Sequence, residues 1–168
     1  MNGGSDRKTA TRRFTTRWPA ETSGLGNRLG RLLQCPAVIG LSGELGAGKT
    51  LFAQGVALGL GVRGYVKSPS FTLALVYRGR MTVYHLDVYR LDDPAEIEDL
   101  GFYEMQREEA VILVEWADRV AAFMPPERIE VLITRDCGED LSRRIQITGY
   151  GEVFSRLVES LRGGGEPA

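Results

Sequence analysis

Between Ser42 and Phe52 the sequence reads SGELGAGKTLF, with three glycines, a lysine and a threonine in one short stretch. The order satisfies G-x-x-x-x-G-K-[ST] in full, as Gly43, Gly48, Lys49 and Thr50. Each residue type has a physical task in such a pattern. Gly48 lets the backbone approach a phosphate that a Cβ would collide with. Successive N–H groups from Gly46 to Thr50 form an anion nest at the positive end of a helix. Lys49 reaches the outer phosphates as a point charge, and the Thr50 hydroxyl is a ligand for Mg²⁺. Residues Gly43, Glu44, Leu45, Gly46, Ala47, Gly48, Lys49, Thr50 and Leu51 are therefore the expected nucleotide-binding stretch. The dinucleotide fingerprint G-x-G-x-x-G fails here, because its sixth position counted from Gly46 is Leu51.

A loop that binds phosphate needs a carboxylate for its metal, normally at the end of a neighbouring strand. Glu115 ends VILVEW and Asp87 ends TVYHLD. The apolar run AVILV marks a central parallel strand, so Glu115 is the expected direct or water-relayed Mg²⁺ group. Asp87 follows an alternating run on an inserted hairpin and could hold a water near the γ-phosphate, or be only a surface or capping acid. His85, two residues earlier on the same strand face, reads either as a general base or as a satisfied core histidine. Trp116 either covers a nucleotide base or packs in the core. Lys67, Ser68, Ser70 and Thr72 of KSPSFTL sit in a loop suited to sensing a γ-phosphate.

These groups need a scaffold, and the rest of the sequence describes one. TSGLGNRLGRLL places Leu25, Leu29, Leu32 and Leu33 at helical spacing, with Thr22 or Ser23 as the N-cap. AVIGL reads as a buried strand, and the helix after the glycine loop should end at Gly59 or Gly61. FTLALVY and MTVYHLD, separated by RGR, read as an antiparallel hairpin. DPAEIEDLG opens a helix at Pro94 and closes it at Gly101. RIEVLITR and RRIQITGYG add two strands, and EVFSRLVESLR is a closing helix. The expected architecture is α/β: a three-layer P-loop NTPase fold whose mixed sheet carries an antiparallel hairpin insertion. One domain covers 21–162, flanked by a flexible N-terminal extension at 1–20 and a flexible tail at 163–168.

Composition removes several function classes. The chain has 168 residues and a formal net charge of −1, which suggests neither disorder nor broad polyanion affinity. Its two cysteines, Cys35 and Cys137, form neither a disulfide framework nor a zinc pattern, and both read as packing residues of a reducing cytoplasm. No apolar run reaches the ~20 residues of a membrane span.

GELGAGKT, VKSPSFTL, YHLDVYRL and LVEWADR, in this order and spacing, resemble the TsaE family, also called YjeE. The resemblance spans residues 22–149. It implies a small cytoplasmic P-loop ATPase of bacteria that binds ATP or ADP with Mg²⁺ and is needed to make threonylcarbamoyladenosine in tRNA. It further implies partnership with TsaB and TsaD, which form the transferase and which ATP binding and slow hydrolysis reset; tRNA is engaged indirectly, and no membrane is involved. Carried over by position, the family's Mg²⁺ ligands fall on Thr50 and Glu115, and its hydrolytic acid falls on Asp87. With Lys49 these form the expected catalytic set. A nucleotide contact falls on Asp118 and a late basic contact on Arg143, with Arg144 adjacent to it. Ser70 stands where the family often has threonine, which keeps the hydroxyl and loses a methyl.

Two other classes share the loop: a small-molecule or nucleoside kinase, which needs an acceptor pocket and an arginine-bearing lid, and a nucleotide-gated binding module. GTP is disfavoured by the absence of N-K-x-D. No motif resembles an arginine finger apart from an internal candidate, Arg90. A site without one hydrolyses more slowly by about 10³- to 10⁵-fold.

Overall fold

The computed structural model describes residues 8–136 and 141–162; Cys137, the 163–168 tail and residues 1–7 lie outside them. The described chain runs β1 (Thr9–Thr16), α1 (Pro19–Leu32), β2 (Ala37–Ser42), α2 (Lys49–Gly59), β3 (Ala74–Arg78), β4 (Thr82–Asp87), a 3-10 turn (Pro94–Ile97) and α3 (Phe102–Met105). It continues with β5 (Ala110–Glu115), a second 3-10 segment (Ala117–Phe123), β6 (Arg128–Arg135), β7 (Arg143–Tyr150) and α4 (Glu152–Ser160). The strands form one sheet in the order β1-β7-β6-β2-β5-β4-β3. β6, β2, β5 and β4 are parallel neighbours, whereas β1, β7 and β3 pair antiparallel.

Three layers follow from which faces are apolar. β2 and β5 are buried along nearly their whole length, as continuous apolar runs require. Ile39, Leu41, Val111 and Leu113 face one core with α1, α2 and α4, while Val38, Ile112 and Val114 face another beneath the 3-10 segments and α3. Glu115 follows Leu113 by two residues and so emerges on the α2 side. On β4, Val83 belongs to that same core, which puts His85 and Asp87 on the α2 side as well.

Three expectations need correction. Residues 9–16 belong to the sheet, not to a flexible extension at 1–20: β1 pairs with β7 from Thr9↔Tyr150 to Thr16↔Arg143. Its residues alternate between exposed and partly buried, so an edge strand written in threonine and arginine resembled a polar tail. Second, α1 begins at Pro19, whose fixed φ suits the first helical turn. Thr22 is therefore inside the helix, its buried hydroxyl 2.7 Å from that of Thr16, and neither it nor Ser23 is the N-cap. Third, DPAEIEDLG forms only a four-residue 3-10 turn. Its start is well made, with the Asp93 carboxylate accepting from Ala95 N at 2.9 Å and Glu96 accepting from Asp93 N at 3.0 Å. The hairpin is present, but its β4 runs parallel to β5 and sits inside the sheet, leaving only β3 at the edge.

α1 and α2 approach one another at backbone contact distance. A Cβ on Gly26 would lie 2.3 Å from the Phe52 carbonyl oxygen, and one on Gly30 2.2 Å from that of Val56. Reciprocally, a Cβ on Gly55 would lie 2.1 Å from Ser23 O, and one on Gly59 2.2 Å from Asn27 O. Two glycines spaced by four on each helix thus form one seam. Arg80, in the β3–β4 turn, closes its far end: Nη1 donates to Gly59 O at 2.8 Å, and Nη2 to Gly30 O and Leu33 O at 3.0 and 2.9 Å. A guanidinium there satisfies carbonyls that helix C-termini leave unpaired and complements both dipoles.

Gly55→Ala should destabilise the protein by about 3 kcal/mol, the upper end of the usual overpacking range. Gly24→Ala, where the nearest atom to a new Cβ is the Arg28 guanidinium at 3.8 Å, should be neutral or stabilising. Urea unfolding of the two variants checks the contrast.

Candidate phosphate-binding and metal site

The glycine loop joins the end of β2 to the start of α2. Gly48, the N-cap of α2, has φ +112°, a region that L side chains rarely adopt. Gly43 has a packing reason as well, since a Cβ there would lie 2.2 Å from Ile133 O of β6. The loop carbonyls are pinned in sequence by cationic side chains. Lys49 Nζ donates to Gly43 O at 2.7 Å and Glu44 O at 2.9 Å. Arg135 Nη2 donates to Leu45 O at 3.1 Å, with its Nε 3.3 Å from the Glu44 carboxylate. Arg143 donates from Nε to Ala47 O at 2.8 Å and from Nη2 to Gly46 O at 3.4 Å. Five consecutive peptide planes, from Gly43 to Ala47, are thereby oriented by the protein's own side chains.

Lys49 is only 4% exposed, and its ammonium lies 3.6 Å from the centroid of the Trp116 ring. Burial pushes its pKa below the ordinary lysine value; Glu115 foremost, then Asp118, Asp87 and Glu44, act in the opposite direction. Trp116 itself has φ +63°, and its ring meets that of Tyr89 at a 38° tilt with centroids 4.7 Å apart. Of the two roles open to Trp116, core packing is the one the contacts bear out: the partly buried ring packs against the core beneath the 3-10 segments and also covers the lysine.

Beside the lysine, the Thr50 hydroxyl donates to Glu115 Oε2 at 2.8 Å. Glu115 is 2% exposed, and its other oxygen, Oε1, lies 2.7 Å from His85 Nε2. Asp87 is Glu115's register partner on the adjacent parallel strand, so the two acids end neighbouring strands on one face. Both Asp87 oxygens are engaged: Oδ2 accepts from Ser70 Oγ and Oδ1 from Tyr89 N, each at 3.0 Å. Ser68 Oγ lies 2.6 Å behind Ser70 Oγ.

The structure thus brings Lys49, Thr50, Glu115, Asp87 and Ser70 together. Asp118 is exposed in the segment after Trp116, close enough to influence Lys49 electrostatically. Between the adjacent arginines the geometry is unequal, since Arg144 turns away to pair with Asp136 at 2.6 Å while Arg143 lies on the loop. Lys67 and Thr72 are exposed, and Arg90 lies 4.6 Å from the centroid of the Phe71 ring, not at the acids. Sequence reasoning missed Arg135, which only the β6–β2 pairing brings to the loop, and missed the bond between His85 and Glu115. The second was open to inference, since both residues share the α2 face of adjoining strands.

The donors suit a hard cation, being a hydroxyl and a carboxylate oxygen already in register. Among the described residues no group of three or more histidine, cysteine or carboxylate side chains forms a metal cage, so most ligands would come from water and bound phosphate. No helix among them is long and apolar enough to cross a membrane.

Comparison with known proteins gives a consistent picture. The family model for the threonylcarbamoyl adenosine biosynthesis protein TsaE matches residues 16–145. A tRNA threonylcarbamoyladenosine biosynthesis protein TsaE from Treponema pallidum is 42% identical over 119 residues, 71% of this chain and 88% of that protein. The Bacillus subtilis protein of the same name is 40% identical over 144 residues, covering 85% and 89%. A crystal structure of Bacillus subtilis YdiB superposes with a TM-score of 0.78 at 34% identity, covering 92% of this chain and 95% of that one.

Arg143→Ala should weaken nucleotide binding about tenfold, the effect of losing a charge-assisted hydrogen bond that shapes the loop. Arg144→Ala, which breaks only an exposed pair with Asp136, should change affinity less than about twofold. Calorimetric titration of both variants with ADP decides between the two positions.

Proposed function

The chain belongs to the TsaE family of threonylcarbamoyl adenosine biosynthesis proteins, and from that premise we propose that it binds ATP or ADP with Mg²⁺ and hydrolyses ATP slowly. In this reading it serves a TsaD–TsaB complex that forms threonylcarbamoyladenosine in tRNA, engages tRNA only through that complex, and works in the cytoplasm. The observation that carries the reading is the Thr50–Glu115 pair at 2.8 Å, set beside Lys49 where the glycine loop enters α2.

Bound Mg²⁺ supplies a Lewis acid that neutralises charge on the outer phosphate oxygens. Thr50 Oγ1 and Glu115 are the groups that would hold it. The loop from Gly43 to Leu51 presents the N-terminal amides of α2 to the phosphates, and Lys49 adds a positive charge whose position is fixed by the Gly43 and Glu44 carbonyls. Asp118, an exposed acid beyond Trp116, would contact the nucleotide, and Arg143 would act on it through the loop it braces.

Asp87 is the candidate base. Its Oδ2, which now accepts from Ser70, is the atom that would accept a hydrogen bond from the attacking water once that hydroxyl turns aside. Tyr89 N keeps Oδ1 in place during that exchange. Slow turnover has a structural reason. Arg135 and Arg143 donate to loop carbonyls, and Arg90 lies on Phe71, so the described contacts aim no arginine at the transferring phosphoryl group. A partner protein that supplied or repositioned a cation would raise the rate.

Asp87→Ala should lower ATP hydrolysis about 100-fold while changing ATP affinity less than about threefold. Phosphate release measured with and without a TsaD–TsaB pair is the deciding assay. Stimulation by the pair supports the reading, whereas a phosphorylated small molecule would make the chain a kinase.

A further inference from the structure

The least accounted-for polar group in the site is the chain's single histidine. His85 is fully buried on β4, opposite Leu113 of β5, so its ring reaches diagonally to Glu115 two residues further along. Nε2 lies 2.7 Å from Glu115 Oε1, and Nδ1 is buried with no hydrogen-bond partner among the described residues. An ionised carboxylate only accepts, so the proton of this bond sits on Nε2. Nδ1 is then the bare ring nitrogen, which is the less costly atom to leave buried, because an N–H there would have no acceptor. The ring lies in the core with one polar contact, and neither Asp87 oxygen is bonded to it. This geometry does not suit a general base, which must reach a water.

The two oxygens of Glu115 thus have separate holders, Oε1 with β4 and Oε2 with α2. Any cation that recruits the Thr50 hydroxyl weakens the second of these, and His85 becomes the group that keeps the carboxylate from rotating. We propose that His85 is a positioning residue for the metal site: its Nε2–H fixes the Glu115 carboxylate with Oε2 toward Thr50, and Mg²⁺-dependent nucleotide binding needs that donor. The proposal rests on the nucleotide–Mg²⁺ reading given above.

The discriminating pair is His85→Gln and His85→Asn. Glutamine carries its amide nitrogen close to the place of Nε2, whereas asparagine carries it near Nδ1, short of Glu115. The readouts are ADP affinity in EDTA and the Mg²⁺ concentration that half-saturates ADP binding, both by calorimetry. H85N should raise the Mg²⁺ requirement about tenfold with the EDTA affinity unchanged, and H85Q should stay within about threefold of the unsubstituted protein. An H85N requirement equal to that of the unsubstituted protein overturns the proposal, as does an equal loss with and without Mg²⁺, which would mean simple support of the fold. If the unsubstituted protein shows no Mg²⁺ effect on ADP binding, the nucleotide–metal reading itself falls and takes this proposal with it.

Should H85N not fold, the unsubstituted protein supplies the test, because the imidazole nitrogens of one histidine are unambiguous in a ¹⁵N spectrum. The expected result is a protonated Nε2 and a bare Nδ1, with the Nε2 signal moving when Mg²⁺ joins bound ADP. The opposite tautomer, or an Nε2 signal indifferent to Mg²⁺, overturns it.

Discussion

A carboxylate at 2% exposure is tolerable only when its oxygens are occupied, and Glu115 is held from two directions. Thr50 comes from α2 and His85 from β4, so one buried charge ties the phosphate loop's helix to two adjacent strands. The ammonium of Lys49, close enough to feel Glu115 more strongly than any other acid, completes the local charge balance. Burying one member of such a cluster without the others would leave an uncompensated charge, at a penalty of several kcal/mol. The sheet order serves this cluster. Placing β4 directly beside β5 in parallel puts Asp87 and Glu115 at one level, with His85 one pleat below.

The glycine loop shows a second economy. Three of its residues, Gly43, Gly46 and Gly48, have positive φ, and glycines of that kind lose more freedom on ordering than any other residue. Lys49 from within the stretch, and Arg135 and Arg143 from β6 and β7, offset that loss by fixing the carbonyls. For the nucleotide of the proposed function, such an oriented surface would leave less of the binding energy to be spent on ordering the loop. The same contacts remove two arginines from direct service to a phosphoryl group. The contacts that order the loop are thus the same ones that, in the proposed function, leave the chemistry slow.

How much of this was legible beforehand depended on how local each signal was. The loop is contiguous in sequence, so its pattern could be read at once. Glu115 and Asp87 were legible because strand ends are marked by a sudden acid after apolar residues. Parity could have gone further: Ile145 and Ile147 face the α2-side core, so Arg143 shares their face and Arg144 does not. β1 was hidden because threonine and arginine on a half-covered edge carry little apolar alternation. The α1–α2 seam was hidden for a different reason. Glycine inside a helix reads as a weakness, and only the partner helix reveals that Gly26 and Gly30 are required by close approach. Arg135 could not be found without knowing which strand neighbours β2.

Hairpin turns are usually where a chain accepts extra residues, because little depends on their conformation. The turn holding Arg80 is an exception, since its guanidinium binds the last carbonyls of two helices, and its own N–H donates to Leu60 O at 2.6 Å. A peptide tag or fluorophore grafted at that tip would unclasp α1 and α2 from the strand that carries His85 and Asp87, however solvent-facing the tip looks. Labels are better attached beyond α4, which covers β1 and β7 at the opposite edge of the sheet from the hairpin.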